Sequence, residues 1–580
     1  MSAVSEAMGS PVEGSDSPAG QPPGPDRGAL GPWARIPWIF GAWAALVAAG
    51  PGALWTDGSP WLGVVALGIW AHAAARPGRF ALWIEWAAGA LGLGTTMFWI
   101  HYVSPAALPP AAIGMGLYPA LAGWALRRLV GGARLRLPLV VAAPIAWVTF
   151  ELLRDLLEPP FGMGWLRAGH LAAAHGFWLA GARVVGVEGL SFSMVALGVG
   201  AGLALRKRRP LELLPGALTF ALVCGLGWLV GPPELAPGPR VLLIQPNFSV
   251  YEKQGRLNRN QRLAVKMQLT RAGLDEAGEV DLVCWPETSL PTQLLGPGTL
   301  EDIAAGAGFQ PWADAGFEPS QLGVLEGLEQ RLIEDRILGE LPDNTAFLGG
   351  GEEWVTADGV LRRRNVLALW QREEQGEAGG EPRRQLGAKV KLAPFGETVF
   401  GLERFGWIRN WIAQAAGYLP DFLPGEASSV LVLRGADRSP LRLGATVCFD
   451  NAYQGPYLDT IRREPVDLFM MVSNEAWYLR SWEMDQMVAF SKVLAVVSGR
   501  SLVRCTNSGV TTVLDPLGRR VDSLRVGGSD REVAGHLAVT VPVPLDRDLP
   551  PPPYARWIAP WRWALVGLGL GLAWLAGRSR

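Results

Sequence analysis

Between residues 36 and 231 the chain is a series of long apolar runs with short breaks, and one more such run stands near residue 560. A helix needs roughly 20 apolar residues to cross the hydrocarbon of a bilayer. The runs at 37–55, 61–75, 81–102, 109–126, 137–153, 184–205, 213–230 and 558–576 are therefore read as about eight transmembrane helices. So many in series, with so few charges inside them, do not suit the core helices of a soluble protein. At 49% hydrophobic and 18% charged, the 580 residues are too apolar for an ordinary soluble enzyme and too charged for a membrane bundle alone. A polar domain must accompany the spans.

The breaks alternate in charge. Arg27 and Arg35 precede the first run, and Arg76 and Arg79 follow the second. Arg127, Arg128, Arg134 and Arg136 follow the fourth, residues 206–209 read RKRR, and Arg578 and Arg580 close the chain. The intervening TDGSP and VSPAA loops carry neither Lys nor Arg. Basic loops stay in the cytoplasm, so the reading puts the N-terminus inside and residues 233–555 on the non-cytoplasmic side, the periplasm of a cell with two membranes. Residues 1–35, rich in Pro, Gly and Ser, read as a disordered cytoplasmic tail with no short cleavable signal. The expected organisation is a seven-helix membrane domain over 36–232, a globular domain over 239–546 and a C-terminal transmembrane helix over 557–577. The loop EPPFGMGWLRAGHLAAAHGFW (158–178) is either a re-entrant connector or part of a cleft. The net charge of −1 argues against a nucleic-acid partner.

Within 239–546 the pattern changes to Val/Leu/Ile-rich runs that read as strands: 240–247, 280–287, 345–353, 365–370, 429–435, 442–450, 466–474, 501–509 and 536–543. Helical stretches such as 258–277 and 484–500 lie between them. This alternation predicts an α/β domain whose polar groups gather at strand carboxyl ends. Residues 299–325 read as a loop or helical insertion, and 371–388 as a solvated hairpin tip.

Four cysteines occur, at 224, 284, 448 and 505. Cys224 falls inside an apolar run, while a disulfide among the other three stays open in an oxidising compartment. No spacing resembles a zinc motif, and His536 is the only histidine between 239 and 546, so neither a metal site nor a Cys–His pair is expected. A reactive thiol would need a carboxylate base or nearby positive charge. Three segments offer these: LVCWPETSLP with Glu287, AKVKLAPFGE with Lys389, Lys391 and Glu397, and TVCFDNAY with Cys448. Lys389 and Lys391 share one face of an extended segment. Taken singly, a Glu after a strand is usually a solvated carboxylate, a Lys pair usually a solvated face, and a Cys ending a strand most often simply buried.

Taken together, Glu, Lys and Cys in that order, each near a strand end, resemble the triad of the nitrilase superfamily. VSNEAWY (472–478) and GRSLVRCTNSGVTTVLDPLGR (499–519) extend the resemblance. Set between seven spans and one, the domain resembles that of the apolipoprotein N-acyltransferase family. The resemblance implies an αββα sandwich, with Glu287 as general base, Lys389 holding the oxyanion and Cys448 as nucleophile. Lys389 is preferred over Lys391 because the family's lysine stands eight residues before the PFGE glutamate. It also implies supporting or substrate-contacting roles for Glu397, Phe449, Asp450, Asn474, Trp477 and Tyr478; Trp477, Tyr478 and Trp482 form either an apolar gate for acyl chains or ordinary core packing. The chain departs from the family pattern at Asp450, Lys391 and Glu475, where Glu, His and Asp are usual. The implied reaction passes an acyl chain from a phospholipid, typically phosphatidylethanolamine, through a Cys448 thioester to the α-amine of a lipoprotein's diacylglyceryl-cysteine, with no cofactor. The alternative is a membrane-tethered amidase acting on a small amide.

Overall fold

A computed structural model describes residues 30–159, 161–250, 252, 257–306, 323–372, 383–394, 396–399, 405, 407, 422–435 and 438–577. Most of the expected N-terminal tail, Arg27, Arg578, Arg580, residues 307–322 of the insertion and the tip at 373–382 lie outside these residues. Apolar sequence becomes helix through the first half of the chain, but not in the units expected. Three helices are long and apolar enough to cross a membrane, Ala182–Lys207, Pro210–Val230 and Tyr554–Leu575, and Pro60–Ala74 is apolar but shorter.

The count of about eight is therefore not met by helix length and composition, for local reasons. The run at 81–102 divides into Ala81–Thr96 and a four-residue helix, Ile100–Val103. That at 109–126 divides at Gly116 into Leu108–Met115 and Leu117–Gly131. Leu139–Leu156 carries Glu151, Arg154 and Asp155, all buried, and Pro32–Ala49 encloses Pro37 and a buried Arg35. Ala182–Lys207 bends at Gly186, whose φ is 64°. A Cβ there would stand 2.2 Å from the Tyr554 ring, so only glycine lets the C-terminal segment approach.

Three buried carboxylates of this region, Glu85, Asp155 and Glu188, are paired with arginines. Glu85 receives Arg35 at 3.2 Å and Arg127 at 2.5 Å. Glu188 receives Arg167 at 2.9 Å, Arg562 at 3.0 Å and the Tyr554 hydroxyl at 2.8 Å, and Asp155 receives Arg562 and, at 3.4 Å, Arg167. The last helix is thus pinned to the first group by charge.

The second half forms two sheets. The first contains β1 (Leu235–Gln245), β2 (Leu282–Trp285), β3 (Leu294–Leu295), β4 (Ala346–Ala357), β5 (Val360–Gln371), β6 (Arg383–Ala388) and β13 (Gly535–Pro544), in the order β13-β1-β2-β4-β5-β6 with β3 paired to β4. The second contains β7 (Val430–Gly435), β8 (Arg438–Val447), β9 (Leu468–Ser473), β10 (Ser501–Thr506), β11 (Thr512–Leu514) and β12 (Arg520–Ser523), in the order β12-β11-β10-β9-β8-β7. β1, β2 and β4 are parallel in one sheet, and β8, β9 and β10 in the other.

Alternation along each strand assigns its faces. Val241, Leu243, Leu282, Cys284, Leu367 and Leu369 meet Leu443, Met470, Val503 and Cys505 between the sheets. Leu242, Val283, Trp285 and Phe347 face outward against the helices Arg259–Ala277 and Gln330–Leu338. On the far side, Phe469, Met471 and Leu502 pack in one cluster with the helix Glu483–Ser498 and the apolar helices of the first half. All 16 residues of Glu483–Ser498 are buried, its polar side chains included. Trp165 Nε1 donates to Gln486 Oε1 at 2.6 Å, Gln486 Nε2 to the Thr96 carbonyl at 3.1 Å, and Lys492 Nζ to Asp57 at 2.7 Å, joining the halves. All four cysteines are free thiols, so the disulfide left open above is not formed.

Candidate active site

Three strand ends place the candidate residues. Glu287 leaves the end of β2, Lys389 follows β6 and Cys448 follows β8. β4 makes the first placement possible: Gly350 accepts from the N–H groups of Ser289 and Leu290 at 2.8 and 3.1 Å. A Cβ on Gly350 would stand 2.6 Å from the Glu287 Cα, so a side chain there would displace the carboxylate.

All three line one cavity of about 630 Å³. Glu287 is 5% and Lys389 1% exposed. Lys389 Nζ lies 3.6 Å from Glu287 Oε1 and 2.8 Å from Glu397 Oε2. Asn365 Nδ2 donates to both carboxylates, at 2.7 Å to Glu287 Oε1 and 2.9 Å to Glu397 Oε1. The Ala393 N–H holds the other Glu397 oxygen at 2.8 Å. One ammonium and one amide thus fix two carboxylates. Burial would lower the Lys389 ammonium, but Cys448, Glu397 and Glu287 outweigh it and hold the pKa above the ordinary value.

Cys448 has φ 48°, in the left-handed region, and opens the short helical turn Cys448–Ala452. A non-glycine residue there costs about 1–3 kcal/mol, a strain the surrounding structure must impose. Asp450 supplies the restraint. Its carboxylate accepts from the N–H groups of Val447 at 3.0 Å, Val390 at 3.1 Å and Lys391 at 2.6 Å. It sits behind the cavity and ties the backbone beside Lys389 to that beside Cys448. Burial pushes Asp450 up to about 6 despite these donors. Burial, then the Glu287 charge, pushes the Cys448 thiol well above its ordinary range, while Lys389 pulls the other way and loses. The resting nucleophile candidate is therefore a thiol.

Phe449 stacks on Trp165 with centroids 6.0 Å apart, and Asn474 Oδ1 accepts from Asn507 at 2.9 Å. Tyr478 meets Trp99 edge-on at 4.9 Å. Phe449, Asn474, Tyr478 and the 37%-exposed Trp477 line the cavity. Trp482 does not join them: it packs under Gly52, so the expected aromatic trio is split. The two lysines also part company. Lys389 points into the cavity, whereas Lys391 pairs with Glu158 and lies 5.6 Å from the Tyr453 ring centroid. Residues 158–178 contribute Pro159, Gly162 and Met163 to the cavity wall, so this loop is part of the cleft.

Asn365 is the residue that sequence reasoning missed. In RRRNVLALW it has the same parity as Leu367 and Leu369, which face the other sheet. A polar residue on an otherwise apolar inner face was the available signal. Among the described residues, no group of three or more His, Cys, Asp or Glu is placed to hold a metal ion.

The fold and site define a membrane-associated α/β protein with a buried carboxylate–lysine–thiol centre. Residues 46–200 match the family model described as the apolipoprotein N-acyltransferase N-terminal domain. Curated relatives with the name apolipoprotein N-acyltransferase align with most of the chain. That of Azotobacter vinelandii is 28% identical over 540 residues, 87% of this chain and 88% of its own. That of Pseudomonas aeruginosa is 28% identical over 474 residues, 77% and 79%, and that of Chlorobaculum tepidum 24% over 398 residues, 66% and 68%. Over most of its length the chain is thus similar to apolipoprotein N-acyltransferases, and its helical first half matches that family's N-terminal domain.

Proposed function

We propose that the protein transfers an acyl chain from a phospholipid to the α-amine of the N-terminal diacylglyceryl-cysteine of lipoproteins, through a thioester on Cys448. The observation that carries this reading is one cavity with two unlike walls. The centre of Glu287, Lys389, Glu397 and Cys448 faces an apolar wall of Trp99, Ile100, Val103, Ala107, Ala111 and Met115 from the membrane half. A site for a soluble amide has no use for the second wall.

Because the thiol is neutral at rest, attack requires a base. Glu287 takes the Cys448 proton as Sγ attacks the ester carbonyl carbon. Lys389 Nζ, with the backbone N–H beside Phe449, holds the oxyanion. The ester C–O bond then breaks, Glu287 returns the proton to the departing oxygen, and a lysophospholipid leaves. The acceptor amine next attacks the thioester carbon and gives a proton to Glu287. The C–S bond breaks, the sulfur regains its proton, and an amide remains. Ester, thioester and amide follow one another with no cofactor or metal. Glu397 and Asn365 position the lysine and base, and Asp450 positions the turn that carries Cys448.

In this reading phosphatidylethanolamine is the donor and 239–546 is a nitrilase-like catalytic domain in the periplasm. It hangs from an inner-membrane helical region over 36–232 and a C-terminal transmembrane helix over 557–577. The alternation of basic and uncharged loops supports that topology. The test is the intact mass of detergent-purified protein incubated with phosphatidylethanolamine alone, beside Cys448→Ala. One added acyl mass on the wild type only, passed on to a diacylglyceryl-cysteine peptide, is the expected result. An adduct that survives in Cys448→Ala, or an acyl group released to water instead of the peptide amine, overturns the reading.

A further inference from the structure

One buried arginine of the helical half is not held by its neighbours. Arg35, Arg167 and Arg562 bond carboxylates, and Arg183 donates to the Pro516 carbonyl at 3.0 Å. Arg154 is 4% exposed, yet among the described residues its guanidinium bonds nothing. Its Nη1 is enclosed without an acceptor, and no carboxylate reaches ion-pair distance. Asp155, next to it in sequence, is taken by Arg562 and Arg167. Glu151, one turn earlier on the helix Leu139–Leu156, accepts at Oε1 from Trp147 Nε1 at 3.1 Å and from the Ala168 N–H. A buried guanidinium without an acceptor is costly.

Arg154 and Glu151 line a cavity of about 40 Å³. It lies among the helices Pro32–Ala49, Ala81–Thr96, Leu117–Gly131 and Leu139–Leu156 and the 158–178 loop. Its wall is buried except at Leu46, Val47 and Leu166, all apolar. Trp43 lines it too, and the Trp43 Nε1 also lacks an acceptor. The Thr96 and Tyr118 hydroxyls in the wall donate to the Gly92 and Phe161 carbonyls, and each can accept as well. These groups select the occupant. An anion would meet Glu151, and a cation would meet Arg154. A neutral molecule that both donates and accepts suits them all, and a polar cavity of about 40 Å³ has room for about two or three waters.

We propose that this cavity holds ordered water bridging the Arg154 guanidinium to the Glu151 carboxylate, and that the bridge positions residues 161–168. That segment is tied to the cavity wall at both ends, at Phe161 by Tyr118 and at Ala168 by Glu151. Between the ties, Gly162 and Met163 line the catalytic cavity, and Trp165 bonds Gln486 of the α/β half. Arg154 and Glu151 are positioning residues. The site does not depend on which acyl donor or acceptor Cys448 serves.

The test is X-ray hydroxyl-radical footprinting of the full detergent-purified chain, read by peptide mass. Radicals formed from a bound water mark the side chains beside it, even where bulk solvent does not reach. Trp43 and Trp147 line the cavity, while Trp178 and Trp354 are buried elsewhere. The expected result is severalfold faster labelling of Trp43 and Trp147 than of Trp178 and Trp354. The excess should vanish in Arg154→Met/Glu151→Leu, because an apolar cavity stays dry, and should persist in Arg154→Lys, which keeps a donor. Trp43 labelled no faster than Trp354 in the wild type overturns the water site, whether or not the variants fold. So does labelling that appears only after co-purified lipid is stripped away, which would assign the cavity to a lipid oxygen.

Met163 reads the positioning role. Its labelling should rise in Arg154→Met, as the segment loosens, and return toward wild type in Arg154→Lys. Met163 labelled alike in wild type and Arg154→Met overturns that role. Neither readout uses an adduct on Cys448, so failure of the transfer reading would leave both standing.

Discussion

Both halves of the molecule bury charge, and they do so differently. Around Glu188 and Asp155 in the helical half, two carboxylates meet two guanidinium groups and a tyrosine hydroxyl, and none of these residues lines the cavity at Cys448. Around Lys389, two carboxylates and a thiol crowd one ammonium, and all of them line a cavity. A balanced cluster ties segments distant in sequence, residues 155, 167, 188 and 562. An unbalanced one leaves a carboxylate available to receive a proton. What sets the candidate site apart is therefore not buried charge alone but imbalance beside open space.

The sharpest way to break this comparison is to neutralise one acid in each cluster. Glu287→Gln keeps the shape and leaves Glu397 to satisfy Lys389. Adduct formation on Cys448 is expected to fall by about 10²- to 10⁴-fold, the usual share of a general base, with the unfolding temperature unchanged or raised. A Glu287→Gln protein that unfolds at lower temperature and still acylates would make the two clusters alike. Glu188→Gln is the counterpart. It leaves Arg167 and Arg562 sharing Asp155, and breaking a buried pair costs about 3–5 kcal/mol. Thermal unfolding in detergent should drop sharply, while the acylation rate per folded molecule stays near wild type.

The same contrast explains what was legible in the sequence. Strands β1, β8 and β9 stand out because both faces are buried, giving unbroken runs such as VLLIQ and LFMMVS. Cys448 and Glu287 were visible because each follows such a run. Asn365 was not, since its function depends on which face of β5 meets Glu287, a matter of register rather than composition. The separation of Lys389 from Lys391 was hidden for a related reason. Strand alternation ends at Ala388, and the backbone beyond follows the Asp450 carboxylate instead. The apolar runs were clear, yet their division into helices was not, because Gly116 and the break after Thr96 interrupt helix without lowering hydropathy.

A third substitution tests whether Asp450 belongs with the pinning charges or the reactive ones. Its carboxyl rises from an ordinary value near 3.8 to about 6 in the folded protein. A raised acid binds its proton more tightly folded than unfolded. Its contribution to stability is therefore greatest below about pH 4, declines as pH rises toward 6, and stays unfavourable above. Asp450→Asn removes that decline but replaces an acceptor of three N–H groups by an amide, at about 1–3 kcal/mol. The variant should be clearly less stable than wild type at pH 4 and less markedly so at pH 7. A stability difference independent of pH would show that the carboxyl does not titrate in this window.

The smallest effect is expected where the halves meet at the cavity mouth. Lys391 pairs with Glu158, but Glu158 is 69% exposed, and ion pairs open to water contribute about 0–1 kcal/mol. Lys391→Met should leave the unfolding temperature nearly unchanged and reduce adduct formation little. By contrast, Lys492 is 9% exposed where it meets Asp57 at 2.7 Å, and Lys492→Met should destabilise the joint more. Sodium chloride sharpens the distinction, since salt screens exposed pairs and spares buried ones. If Lys391→Met nevertheless slows acylation severalfold at low salt and not at high salt, the pair holds the 158–163 wall of the cavity in place. It would then belong with the reactive centre and not with the joints.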